Sequence, residues 1–127
     1  MAMSAENIVG VILELFLESK LKAQGWFFAW GSSIAHVDFY SKDGKMLQVK
    51  NRYNSENSSS KKVRKDHNID LWFRIKSSGK DNWEDLHKII GNKKSITSAL
   101  NEENFLQYIE ELTATIKQNA KTEELNK

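Results

Sequence analysis

Apolar and polar residues alternate twice in the middle of the chain, on either side of Lys42-Asp43-Gly44. The stretch from His36 to Tyr40 (HVDFY) and the stretch from Lys45 to Lys50 (KMLQVK) both repeat with a period of two. Two such runs around a Gly-containing turn predict a β-hairpin with one buried face. Upstream the period changes. Ile8, Val11, Ile12, Leu15 and Phe16 recur at helical spacing, with Gly25 beyond them, which predicts a helix over residues 5–23. Apolar residues cover most of its circumference, so the helix is expected to be well buried. Between them GWFFAW, Gly25 to Trp30, is dense in aromatics and reads as a strand, broken by Gly31-Ser32-Ser33. Trp26, Phe28 and Trp30 share one face of it and fit a core better than a base-stacking platform. Helix, strand and hairpin together predict an N-terminal helix followed by an antiparallel three-stranded meander.

Downstream the pattern loosens. Asn51 to Ser60 is polar and without period, the composition of a surface loop. Ser58, Ser59 or Ser60 could cap a short helix through Lys61-Lys62-Val63-Arg64. Asn68 to Lys76 fits a strand on Ile69, Leu71, Phe73 and Ile75, and equally a helix through Trp72 and Ile75. Asp81 to Ile90 reads as a helix capped by Asp81 and ended by Gly91. Asn101 caps a last helix with Phe105, Tyr108, Ile109 and Leu112 on one side, and residues 120–127 are expected to fray.

Composition sharpens this picture in two ways. With 127 residues, 39% of them hydrophobic, the chain fits a single α/β domain over residues 1–127 with one modest core. It contains no Cys, which excludes disulfides and thiolate metal sites. The first residues lack the basic start of a secretory signal, and no segment is long and apolar enough to span a membrane, so a cytoplasmic location is expected. Charge is uneven. Residues 1–41 carry 2 basic and 4 acidic groups, residues 42–94 carry 14 and 7, and residues 95–127 carry 3 and 6. The positive excess therefore lies in the hairpin and the segments directly after it, where it could serve a phosphate backbone or simply a solvated face.

The hairpin also carries the candidate chemistry. Gln48 and Lys50 stand two apart on one strand and project to the same face, with Asp38 opposite them on the other arm. A carboxylate, an amide oxygen and an ammonium at a strand end suggest a cation site with a lysine beside it. Glu14 and Glu18 lie one turn apart on the first helix. The three histidines, His36, His67 and His87, show no zinc-ligand spacing and read as surface or structural residues.

Asp38 followed by Gln48-x-Lys50 resembles the PD-(D/E)xK nuclease signature, with glutamine in place of the second acid. The run NRYNSENSSSKKVR after it, with the later WFR and NW, resembles the SinI-like type II restriction endonucleases, and the likeness covers roughly Leu13 to Gly91. The resemblance implies a restriction-endonuclease-like α/β core with further helices packed on the sheet. It implies a metal-dependent enzyme that cuts double-stranded DNA at a short specific site, as a homodimer. Asp38, Gln48 and Lys50 would be catalytic. A glutamate of the first helix, Glu14 in preference to Glu18, would be a fourth member. Mg²⁺ would be held by Asp38, Gln48 and Glu14. Arg52, Asn54, Glu56, Asn57, Ser58, Ser59, Lys61 and Arg64 would contact DNA. Enzymes of that kind are longer than 127 residues, so the chain reads as a C-terminal catalytic fragment or a reduced relative. A non-catalytic DNA-binding domain and a structure-specific nuclease such as a junction resolvase are the alternative readings.

Overall fold

A computed structural model describes residues 5–29, 36–54 and 58–126. The chain opens with α1, Ala5–Leu21, and a 3₁₀ turn, Lys22–Gln24. Gly25 ends it in the left-handed region at φ 80°, its N–H donating to the Lys22 carbonyl. Only glycine enters that region without a steric penalty. Leu13, Phe16, Leu17 and Leu21 form the buried stripe of α1, whereas Ile8, Val11 and Leu15 are 43–45% exposed. The helix is apolar nearly all round but covered on one side, contrary to the burial expected from its composition.

Four strands come next, β1 (Trp26–Phe28), β2 (Phe39–Ser41), β3 (Met46–Arg52) and β4 (Ile69–Ile75). They lie side by side in that order, β1, β2 and β3 antiparallel and β4 parallel to β3. The sheet is therefore mixed and one strand wider than a three-stranded meander. The β2–β3 turn closes where the Ser41 carbonyl accepts from the Gly44 N–H, with Gly44 at φ 88°. Ser41 Oγ also accepts from the N–H groups of Asp43 and Lys45, so one serine holds the whole turn.

A parallel neighbour needs a crossover, and α2, Ser58–His67, supplies it. Residues 69–75, open between helix and strand in the sequence, are a strand because β3 offers them a full ladder from Met46↔Ile69 to Arg52↔Ile75. The same ladder draws Asn51 and Arg52 into β3, where polar composition predicts a loop.

Three helices complete the chain as α3 (Trp83–Ile90), α4 (Lys94–Thr97) and α5 (Glu102–Leu125). Asp81 does not cap α3. It bridges to Ile75, and Asn82 takes the cap position. Asn101 does cap α5, its side chain accepting from the Asn104 N–H at 2.8 Å. That last helix runs through Leu125.

Phe39, Leu47, Val49 and Trp72 face α1, α3 and α5, where Phe16 meets Trp83 and Phe105 at ring distances of 5.9 and 5.5 Å. On the other side α2 sends Arg64 to Gln48. The sheet is thus sandwiched between helices, a mixed α/β architecture in which aromatic contacts carry much of the core. Among the described residues no helix is long and apolar enough to cross a membrane.

Candidate active site

The site forms where β2 starts and β3 ends. The register Phe39↔Leu47 and Tyr40↔Met46 continues one residue to set Asp38 opposite Gln48. The Asp38 N–H donates to the Leu47 carbonyl, and its own carbonyl accepts from the Ala29 N–H, both at 2.9 Å. Its carboxylate Oδ2 then accepts from the Val49 N–H at 2.7 Å. A backbone donor thus fixes the carboxylate beside β3, and the two-residue period places Gln48 and Lys50 on one face of that strand.

Electrostatics tie a second carboxylate to the first. Burial raises the Asp38 carboxyl above the ordinary carboxylate range, against the Val49 N–H and the nearby His36 and Lys50, which all favour its charged form. Burial also raises Glu14, and the charge of Asp38 adds to the effect. Glu14 of α1, Asp38, His36 and Lys50 therefore share one electrostatic neighbourhood. A cleft of about 450 Å³ opens between Glu14 and Lys50 of this group, with Gly10, Val11 and Glu14 of α1 on one side and Lys50, Asn51 and Arg52 of β3 on the other. Glu18 lies elsewhere, in a smaller cleft with Trp26 and Phe27.

Gln48 is placed differently from the cation ligand that the signature implies. Its Oε1 accepts from Arg64 Nη1 at 2.9 Å, and its Nε2 stands 3.5 Å from His36 Nδ1. Guanidinium groups only donate, so the amide oxygen has to be the atom facing Arg64. Arg64 itself is 9% exposed. α2 packs that side chain onto the sheet, against Gln48, whereas the sequence set it among the DNA contacts. Of the other expected DNA contacts, Arg52, Asn54 and Lys61 are exposed, and Arg52 and Asn54 line the cleft. Glu56 and Asn57 lie outside the described residues, as do the side chains of Ser58 and Ser59.

His36 and Arg64 are site residues whose roles the sequence does not disclose. His36 has a weak signal, two residues from Asp38, but it reaches Gln48 through a left-handed backbone at φ 69° that no periodicity announces. The Arg64 contact spans 16 residues and exists only because α2 crosses over the sheet.

Among the described residues no group of three or more His, Asp or Glu side chains could by itself hold a metal. Two carboxylates are nevertheless a fitting donor set for a hard divalent cation. Mg²⁺ takes oxygen ligands, retains several waters and commonly uses one or two carboxylates plus substrate oxygens. Burial raises both carboxyls, and Asp38 adds to the rise of Glu14, so a cation beside them would favour their charged forms.

Comparison with known proteins identifies the family. Residues 1–114 match the family described as SinI restriction endonuclease. The chain is 42% identical over 115 residues to the type II restriction enzyme Eco47I of Escherichia coli, an alignment covering 86% of this chain and 48% of that enzyme. It is 40% identical over 123 residues to the type II restriction enzyme SinI of Salmonella infantis, covering 92% of this chain and 51% of that enzyme. The chain spans about half the length of these curated relatives.

Proposed function

Since the chain belongs to the SinI restriction endonuclease family, we propose that it is a metal-dependent endonuclease hydrolysing phosphodiester bonds of double-stranded DNA at a short specific site. The observation that carries this reading is Asp38, held by the Val49 N–H opposite Gln48, close enough to Glu14 and Lys50 to act on their charge where those two residues face each other across a cleft. The mixed sheet flanked by helices is read as a restriction-endonuclease-like core on the same grounds.

Asp38 and Glu14 would hold the cation, Mg²⁺ by its preference for oxygen. Once bound, such an ion supplies charge stabilisation at a non-bridging phosphate oxygen and acidifies a water. The Val49 N–H fixes the Asp38 carboxylate against β3 before any cation binds. Lys50 offers an ammonium to the negative charge that grows on the phosphate as water attacks phosphorus. The bridging P–O bond breaks, and its electron pair leaves on oxygen, which takes up a proton. Arg52 and Asn54 line the cleft and Lys61 is exposed on α2, all suited to phosphate contacts and base edges. A duplex has two antiparallel strands, and each copy of the chain supplies one Asp38–Lys50 site, so a homodimer on a two-fold DNA site is the matching assembly. The work of such an enzyme, cutting DNA inside the cell, fits a cytoplasmic location.

Incubation with Mg²⁺ and a panel of duplexes containing varied short sites is the direct test. Cleavage confined to one short site is expected, falling about 10³-fold or more in Asp38→Ala and Lys50→Ala. Intact DNA under all conditions, or undiminished cutting by Asp38→Ala, would overturn the reading.

A further inference from the structure

The nuclease signature places Gln48 among the metal ligands, but its side chain is already committed in both directions. Oε1 accepts from Arg64 Nη1 at 2.9 Å and Nε2 lies 3.5 Å from His36 Nδ1. The amide therefore spans β3, joining α2 on one side to the segment that leads into Asp38 on the other. Gln48 is 8% exposed and Arg64 9%, so both ends of this bond are closed off from bulk water. A bond from a buried guanidinium is costly to give up, because the cation would lose a partner where water cannot replace it. A metal drawn to Oε1 would have to share that oxygen with the guanidinium, at a cost in repulsion between the two cations.

The geometry points to Gln48 as a positioning residue that works through Arg64: it fixes a buried cation on the Asp38–Lys50 side of β3 and is not an oxygen ligand of the metal. This deepens the nuclease reading and rests on it for its kinetic part. It explains why a neutral amide suits the position. The amide orients the guanidinium without adding a charge of its own.

The two roles differ in sign for metal binding. Losing an oxygen ligand weakens Mg²⁺ affinity. Losing the placement of a neighbouring cation leaves it unchanged or tightens it, because repulsion falls. The experiment uses Gln48→Met, Arg64→Met, the double variant and Asp38→Asn. Mg²⁺ binding is read by calorimetry without DNA, and cleavage is read under single-turnover conditions at saturating Mg²⁺. Gln48→Met and Arg64→Met are expected to bind Mg²⁺ no more weakly than wild type, while Asp38→Asn binds about 10-fold more weakly or worse. Each single variant should cleave about 10- to 100-fold more slowly, and the double variant no more slowly than either. Weakened Mg²⁺ binding by Gln48→Met, or losses that multiply in the double variant, would overturn the proposal. Should Gln48→Met fail to fold, Gln48→Asn keeps the amide but shortens its reach, and the same signs apply. A wild-type protein that binds Mg²⁺ through Asp38 yet leaves all duplexes intact would sink the nuclease reading, and the metal titration would still decide the role of Gln48.

Discussion

Glu14 illustrates what a single side chain contributes and what it costs. Its carboxyl is raised by burial and then by Asp38, so the folded state holds protons that the unfolded chain would release. Stability from such a group is present below the ordinary carboxylate pKa of about 4 and is lost as pH rises through the raised value. Glu14→Gln removes that loss. Without divalent metal, the variant is expected to melt a few degrees above wild type at pH 7, with the gap closing as pH falls toward 4. Added Mg²⁺ should reverse the order, because wild type then gains a ligand that the variant lacks. Thermal melts at both pH values check this, and a gap that widens at low pH would contradict it. Asp38 was legible from the sequence because hairpin register is local. Glu14 was legible as a candidate only, since its partner stands 24 residues away and only the packing of α1 brings the two together.

At the scale of elements, α1 shows how much a period reveals. Its helical spacing and its stop at Gly25 are consequences of local rules, and both are found. Which apolar stripe is covered is not, because Ile8, Val11 and Leu15 resemble Leu13, Phe16 and Leu17 in every local respect. Gly10 sits mid-helix with nothing within 4 Å of the position a Cβ would take. Gly10→Ala should therefore stabilise the fold by about 0.5–1 kcal/mol, the usual helix gain of alanine over glycine. Urea unfolding measures it, and a destabilised variant would show that the cleft wall leaves no room for a methyl group. Residues 69–75 make the complementary point. Their strand state is decided by the partner β3 and by Trp72, whose Nε1 donates to the Asn82 carbonyl at 2.8 Å.

For the whole molecule, one buried network joins the sheet to the C-terminal helices. Arg74 donates from Nε to Asn51 Oδ1 at 2.8 Å and grips Glu102 with two bonds of 2.8 and 2.6 Å, while Trp83 Nε1 donates to the same Glu102 at 3.0 Å. Its members come from β3, β4, α3 and α5, and Asn51 adjoins Lys50. Glu102→Ala leaves Arg74 and Trp83 without that acceptor and is expected to cost about 2–4 kcal/mol, read as a lowered urea midpoint. A loss below about 1 kcal/mol would mean that water replaces the carboxylate. The charge distribution acts on the same scale. Fourteen basic against 7 acidic residues fall between positions 42 and 94. Duplex affinity, measured with a non-cleaving variant, should drop at least about 10-fold between 50 and 200 mM salt. A flat salt response would remove the phosphate backbone as the partner of this surface.

The chain by itself determined whatever depends on neighbours in sequence: the first helix and its glycine stop, the hairpin and its register, the Asn101 cap, and with them the juxtaposition of Asp38, Gln48 and Lys50. Backbone geometry alone carries those, because pleat and turn are short-range. Tertiary structure decided the parallel fourth strand, the covered side of α1, the coupling of Glu14 to Asp38 and the capture of Gln48 by Arg64. Each of these joins segments that meet only when helices close on the two faces of the sheet. Partners chosen by burial and charge at that distance leave no periodic trace along the chain.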